Sequence, residues 1–309
     1  MPAGLRRSIV GYPIGPMPLF RRRDDRTSAR EPQPRSTRRD EDDDWRSFDS
    51  VAETYARLSA PNLALVAEDL VKLLEVSLGQ RVLDVGTGTG VGARAAARVT
   101  GQDGLSAGID PSIGMLRVAR RDGGGPYYAA ATSIDLPFRD QTFDRLMANF
   151  VIAFFRNYQT ALFELLRVLK PGGRLAVSWW GPGDNEDELR KTWRGVVEEF
   201  AEHEVLQDAQ RRVVPWEDRF SDPTVLKDAL HEAGLRDIWT ERREYRFQMS
   251  REDWLISRET TVAGRFLRQM VGPEVWETFR ARIRQVFAQR FPDPLNDFRD
   301  VVLAVGHKP

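Results

Sequence analysis

The chain contains no cysteine, which excludes disulfides, thiolate nucleophiles and cysteine-based metal sites together. Histidine is scarce, with three in 309 residues, and no metal centre is expected. No apolar run approaches the length of a membrane-spanning helix, and no apolar signal core follows Met1. Net charge is missing too. Forty-six basic residues balance 46 acidic ones, so no overall field draws the chain to nucleic acid or to anionic lipid. What is present, 41% hydrophobic and 30% charged residues, is the make-up of a soluble globular protein, and a cytoplasmic one is expected.

Residues 1–44 combine low hydrophobicity with blocky charge: Arg21-Arg22-Arg23, then Asp40-Glu41-Asp42-Asp43-Asp44. That pattern predicts a disordered tail without a specific ligand. From Trp45 the character changes. Phe48, Val51, Ala52 and Tyr55 recur at helical spacing, and Pro61 opens a second helix with Leu63, Val66, Leu70, Leu73 and Leu74 on one face. The leucines read as core. Tyr55 reads as core or as an aromatic that closes over a ligand.

The densest information lies in Arg81-Val82-Leu83-Asp84-Val85-Gly86-Thr87-Gly88-Thr89-Gly90, followed by an Ala-rich run. Physically this is a buried parallel strand, a tight turn and the first turn of a helix. Glycines permit positive φ or close approach to a ligand, and a helix start aims free N–H groups at an anion. Asp84, at the strand's carboxyl end, lies where open α/β sheets bind ligands. A second strand, residues 105–110, ends in Asp110, 20 residues beyond Gly90. At that spacing a carboxylate can accept both ribose hydroxyls of a nucleotide held at the first turn. The competing role for Asp110 is to cap the next helix, for which Ser112 is equally suited.

Further strands are expected at residues 127–131, 145–151 and 174–180, with a helix at 158–169 stopped by Lys170-Pro171-Gly172-Gly173. This alternation implies an α/β fold with a doubly wound parallel sheet.

On these residues the chain resembles class I S-adenosylmethionine-dependent methyltransferases, nearest the ubiquinone/menaquinone-type small-molecule branch. The motifs that carry the resemblance are Val82 to Gly90, then Gly108-Ile109-Asp110-Pro111-Ser112 with Met115-Leu116. Leu136-Pro137-Phe138 with Phe143-Asp144 follows, and last the run from Leu166 to Gly173. The resemblance implies a Rossmann-like seven-stranded sheet, mostly parallel with one antiparallel edge strand, and S-adenosyl-L-methionine as cofactor. It implies that Asp84, Gly86, Thr87, Gly88 and Gly90 cradle the methionine part and that Asp110 takes the ribose. Pro111, Met115 and Asn149 are further implied contacts, and Thr132, Ser133 and Ile134 stand at the adenine. This chain has Thr132 where the family usually has an acid, with Asp135 nearby as a substitute. A nicotinamide-dependent dehydrogenase is the rival, since Gly88-Thr89-Gly90-Val91-Gly92-Ala93 fits its fingerprint. It leaves Leu136-Pro137-Phe138 and Lys170-Pro171-Gly172-Gly173 unexplained.

The expected organisation is a tail over 1–44 and a methyltransferase domain over 45–309. Within that domain, 78–182 is the cofactor-binding core, and 183–219 and 250–296 are helical substrate-lid insertions. A helix from Pro223 and long strands at 235–249 and 298–305 complete it. Trp254, Phe266, Trp276, Phe279, Phe287 and Phe291 of the second insertion read as lid rings or as core of the added helices. A sulfonium methyl needs alignment more than activation, and a base only when the nucleophile keeps its proton. His203 is the histidine placed to be that base; His231 and His307 read as surface and tail. The scarcity of bases leans toward carbon or nitrogen methylation. The expected partner is a small, largely apolar or aromatic acceptor, not nucleic acid, with the chain a monomer or homodimer. A non-catalytic cofactor-binding or regulatory protein on the same fold is the alternative.

Overall fold

The computed structural model of the chain describes residues 46–182 and 187–309. The tail expected over 1–44, and Trp45, lie outside the described residues. A short 3₁₀ turn, Asp49–Val51, leads into α1 (Ala52–Leu58) and α2 (Ala60–Leu73), the latter with Pro61 in its first turn. Proline is tolerated there because that N–H has no helical partner in any case.

Alternation of strand and helix then builds the sheet: β1 (Arg81–Val85), α3 (Val91–Thr100), β2 (Leu105–Asp110), α4 (Ile113–Arg121) and β3 (Tyr127–Ala130). It continues through β4 (Phe143–Asn149), α5 (Tyr158–Val168) and β5 (Leu169–Trp180). These five strands are parallel, with Val82 opposite Ser106 and Leu83 opposite Leu146. β1 is buried along almost its whole length because helices cover both faces. The KPGG segment does more than end a helix. β5 already pairs at Leu169 with Phe143, then rejoins β4 at Arg174 opposite Arg145. The intervening residues loop out, with Gly172 at φ 73°, a conformation that costs glycine nothing.

The C-terminal half supplies α6 (Glu188–Glu198), α7 (His203–Val213), α8 (Glu217–Phe220), α9 (Pro223–Glu232) and β6 (Arg236–Met249). Asp222 caps α9 by accepting from Thr224 N–H. After β6 come α10 (Arg251–Glu259), α11 (Val262–Arg290) and β7 (Leu295–His307). α11 is two helices broken at Gly272, whose φ of 76° precedes Pro273. The seven strands lie in the order β3-β2-β1-β4-β5-β7-β6. β7 runs antiparallel to both neighbours, so the β6–β7 pair closes that edge.

One core, containing Leu70, Leu83, Leu146, Leu165, Val177 and Leu303, fills both faces of the sheet. A second lies between α6, α7, α10 and α11 around Trp254, Trp276, Phe279 and Phe287. Trp254 stacks on Phe287 and Trp276 on Phe279, with centroids 5.1 Å apart in each pair. The rings of the 250–296 segment are therefore core of the added helices, which need an apolar centre of their own because they stand off the sheet. Chain direction reverses between β1, which leads outward to β2, and β4, which leads the other way. Open α/β sheets bind ligands at the carboxyl ends flanking such a switch.

Candidate cofactor and acceptor site

β1 delivers its last residue into a turn in which Gly86, Gly88 and Gly90 all have positive φ, at 68°, 53° and 86°. A Cβ on Gly86 would collide with the Val151 side chain, whereas one on Gly88 would meet no protein atom within 4 Å. Gly86 is thus a packing requirement, and Gly88 is where the turn presents bare backbone to open space. Gly90 starts α3 and would collide with the Tyr128 hydroxyl if substituted. It is outside the cavity wall.

Asp84 sits beneath this turn, 1% exposed. Its Oδ2 accepts from the Thr87 hydroxyl at 2.7 Å and from Ala93 N–H at 2.9 Å, so it ties the turn to the first turn of α3. Its Oδ1 is buried with no hydrogen-bond partner. Burial pushes its pKa up to about 7 against the opposing pull of those two bonds. Asp84, Gly86, Thr87 and Gly88 line one small hollow together with Tyr55 and Asn149.

Asp110 ties the glycine turn to the entry of α4. Its Oδ2 accepts from Gly88 N–H at 2.9 Å, and its Oδ1 from Ser112 N–H at 2.8 Å. Ser112 is the actual cap of α4. A carboxylate has about four acceptor positions, so two stay available to a ligand in the cavity that Asp110 lines. Burial pushes its pKa up to about 6, the two backbone bonds acting against the rise.

The turn opens into a cavity of about 670 Å³, a size that accommodates small molecules. Gly86, Gly88, Asp110, Pro111, Met115 and Asn149 belong to its wall, as do Tyr55 and His203, the two side chains whose residue types suggested a part in the chemistry. Asn149 is fixed by accepting from the Ser178 hydroxyl at 2.7 Å. Tyr55 packs edge-on against Phe48, 6.1 Å between centroids, and burial with the nearby Asp110 charge raises its phenol well above the ordinary range. Both ring nitrogens of His203 are engaged, Nδ1 with Glu198 at 3.2 Å and Nε2 with Gln207 at 2.6 Å.

Thr132, Ser133 and Ile134 are not brought into this wall. The Thr132–Asp135 bridge folds them into a tight turn on which Thr132, Ile134 and Asp135 are all exposed. That turn starts beside Asp110, whose carbonyl accepts from Ala131 N–H. The rings that do line the cavity, including Phe48, Phe154, Trp179, Trp180 and Trp193, come from several separate segments.

The methyltransferase-domain family matches residues 83–177, the span from β1 through most of β5. Over that span the chain is similar to methyltransferase domains. Demethylmenaquinone methyltransferase of Tropheryma whipplei is 40% identical over 136 residues, 42% of this chain and 56% of that protein. The ubiquinone/menaquinone biosynthesis C-methyltransferase UbiE of Geobacter sulfurreducens is 40% identical over 113 residues, 35% of this chain and 44% of that protein. The chain thus matches about half the length of these curated relatives. The fold is shared with phosphoethanolamine N-methyltransferase 2 of Haemonchus contortus, solved with S-adenosyl-L-methionine. There the TM-score is 0.52 at 20% identity, covering 90% of this chain and 61% of that one.

The residues of the matched span fit that cofactor on two counts. Gly88 offers backbone to empty space, and Asp84 holds an orphan acceptor under the turn. No sequence motif announces the far wall of the cavity. It carries Arg190, Arg258, Arg299 and Asp297, all beyond the matched span. One weaker signal was present. Leu295, Asp297, Arg299, Val301 and Leu303 share one face of β7, so two charges interrupt an otherwise apolar row.

Proposed function

We propose that this chain transfers a methyl group from S-adenosyl-L-methionine to a small, largely apolar or aromatic metabolite. The observation that carries the reading is the continuity of one cavity from the bare backbone of Gly88 and the carboxylate of Asp110 to a wall of aromatic rings. When bound, the cofactor supplies a sulfonium methyl, an electrophile that needs no activation. The protein's part is to hold and align. The glycine turn and Asp110 are the residues that would hold the cofactor's polar ends, and Asn149 and Tyr55 flank them. The rings exclude water, and charge that disperses on transfer is favoured in a dry site. Orientation of this kind is worth up to about 7–11 kcal/mol.

His203, the histidine on the wall, is held from both sides. An acceptor that reacts through carbon or nitrogen, or arrives deprotonated, suits such a wall best. The names of the curated relatives favour a quinone-type ring as the apolar part of the acceptor. The helices α6, α7, α10 and α11 act in this reading as the cover over the acceptor, over a domain running from residue 45 to 309.

Incubation of the full chain with methyl-labelled S-adenosyl-L-methionine and a panel of demethylated quinones, phenols and aromatic acids tests the proposal. Label is expected in one chemical class of small molecule. Tight binding of S-adenosylhomocysteine with no transfer to any class would replace it with the regulatory, non-catalytic reading.

A further inference from the structure

The far wall holds a cluster of partly buried charged groups. Arg190, on α6, takes the local carboxylates for itself. Its Nη2 reaches both oxygens of Asp297 at 2.7 and 3.0 Å, and its Nη1 pairs with Asp187. Asp297 also accepts from the Trp254 indole at 3.1 Å. Arg258 and Arg299 stand in the same cavity with no ion pair to any described residue. The Arg258 Nε is buried without a partner, and its guanidinium carbon lies 5.2 Å from the Trp254 ring centre. The Arg299 guanidinium lies 3.9 Å over the Trp180 ring. Glu217, also on the wall, accepts from Gln210 at 2.8 Å and forms no ion pair with Arg299.

Arg258 and Arg299 therefore face the cavity without an ion pair to a described residue, and Glu217 is a wall carboxylate whose charge reaches Arg299. Burial and mutual repulsion lower Arg299 well below the usual range, and burial brings Arg258 down to about 10. An uncompensated buried cation is costly, and a fold retains one where something else brings the opposite charge. Each of these two guanidiniums is backed by a tryptophan face. That contact sets the plane while leaving N–H groups at the edge for an incoming acceptor.

We propose that the methyl acceptor carries an oxyanion, a carboxylate or phosphate attached to its apolar body, seated against Arg258 and Arg299. The inference rests on the methyl-transfer reading and narrows it: the ring lies along the aromatic wall, and the acid group sets which end approaches the glycine turn. Arg190, Arg258 and Arg299 all lie outside residues 83–177, the span the methyltransferase-domain family matches. The one competing anion is the carboxylate of the cofactor itself.

Calorimetry on the full chain saturated with S-adenosylhomocysteine separates these cases, with 1-naphthoate as the probe and uncharged 1-naphthamide as its matched control. Naphthoate is expected to bind at least ~10-fold tighter than the amide, the size of one charge-assisted contact. In Arg258→Gln and Arg299→Gln that preference should fall to about twofold, with S-adenosylhomocysteine affinity unchanged. Melting temperature serves as a second readout. It should hold or rise in both variants, because a costly charge is removed. Equal affinity for acid and amide, or no binding of either at millimolar concentration, overturns the proposal. Tenfold weaker S-adenosylhomocysteine binding in the variants assigns the arginines to the cofactor instead, and a lowered melting temperature makes them structural. Failure of the unaltered chain to bind S-adenosylhomocysteine would sink the methyl-transfer reading itself, a result none of the other outcomes mimics.

Discussion

Substituting alanine for Gly88 separates binding from folding more cleanly than any other change in the glycine turn. The residue has φ 53°, and its missing Cβ would meet no protein atom within 4 Å. The folded protein therefore bears only the left-handed backbone strain of an L-residue, about 1–2 kcal/mol. For a domain of this size that lowers Tm by roughly 2–8 °C. The new methyl group occupies the space the turn leaves for the cofactor. Crowding there costs about 1–3 kcal/mol, and losing one hydrogen bond to a charged group about 1.5–3 kcal/mol. Affinity for S-adenosylhomocysteine should then fall at least ~100-fold. The Gly86→Ala variant is the control, since its Cβ collides with Val151 and the damage there is to folding. Thermal denaturation with and without S-adenosylhomocysteine reads both effects. If Gly88→Ala binds as tightly as the unaltered chain, the turn does not cradle the cofactor and the reasoning fails.

Asp110→Ala should weaken S-adenosylhomocysteine by more than about 1.4 kcal/mol, a tenfold change; a near-neutral result by calorimetry removes the ribose assignment. Because the Asp110 carboxyl is pushed up to about 6, affinity should be level at pH 8 and decline as pH falls below 6, and Asp110→Asn should lack that decline. Stability without ligand should run the other way. Asp84 and Asp110 have folded values of about 7 and 6 against 3.8 for an unperturbed carboxyl, so the folded state binds more protons in that window. Stability is lost as pH rises from about 4 to 7 and is flat above; in melting curves Asp84→Asn should lose less Tm over this range than the unaltered chain. His203→Gln should leave turnover within about threefold. A loss of a hundredfold or more would make it the general base after all.

What the amino-acid order determined by itself is local. β1, its glycine turn and α3 are contiguous in the chain, and the Asp110 contact needs only the next strand, so periodicity and backbone chemistry were enough to place them. The alternation of strands and helices was legible because it is a repeat, whereas the antiparallel closing pair, whose strands are separated by α10 and α11, was implied only by the family resemblance. Asp110 shows the limit. Weighed along the chain as a helix cap or a ribose acceptor, it joins the glycine turn to the entry of α4, while Ser112 caps that helix. Tertiary structure alone decided the rest. Position along the chain put Thr132, Ser133 and Ile134 at the adenine, and only the fold shows them in a turn closed by a Thr132–Asp135 bridge beside Asp110. The rings of residues 250–296 could be lid or core until packing showed a separate core between α6, α7, α10 and α11. The arginine wall joins α6, α10 and β7, elements far apart in the chain. Charge balance in a cavity is a property of what is brought together, and nothing in the spacing of Arg190, Arg258 and Arg299 foretells that only the first finds its carboxylates.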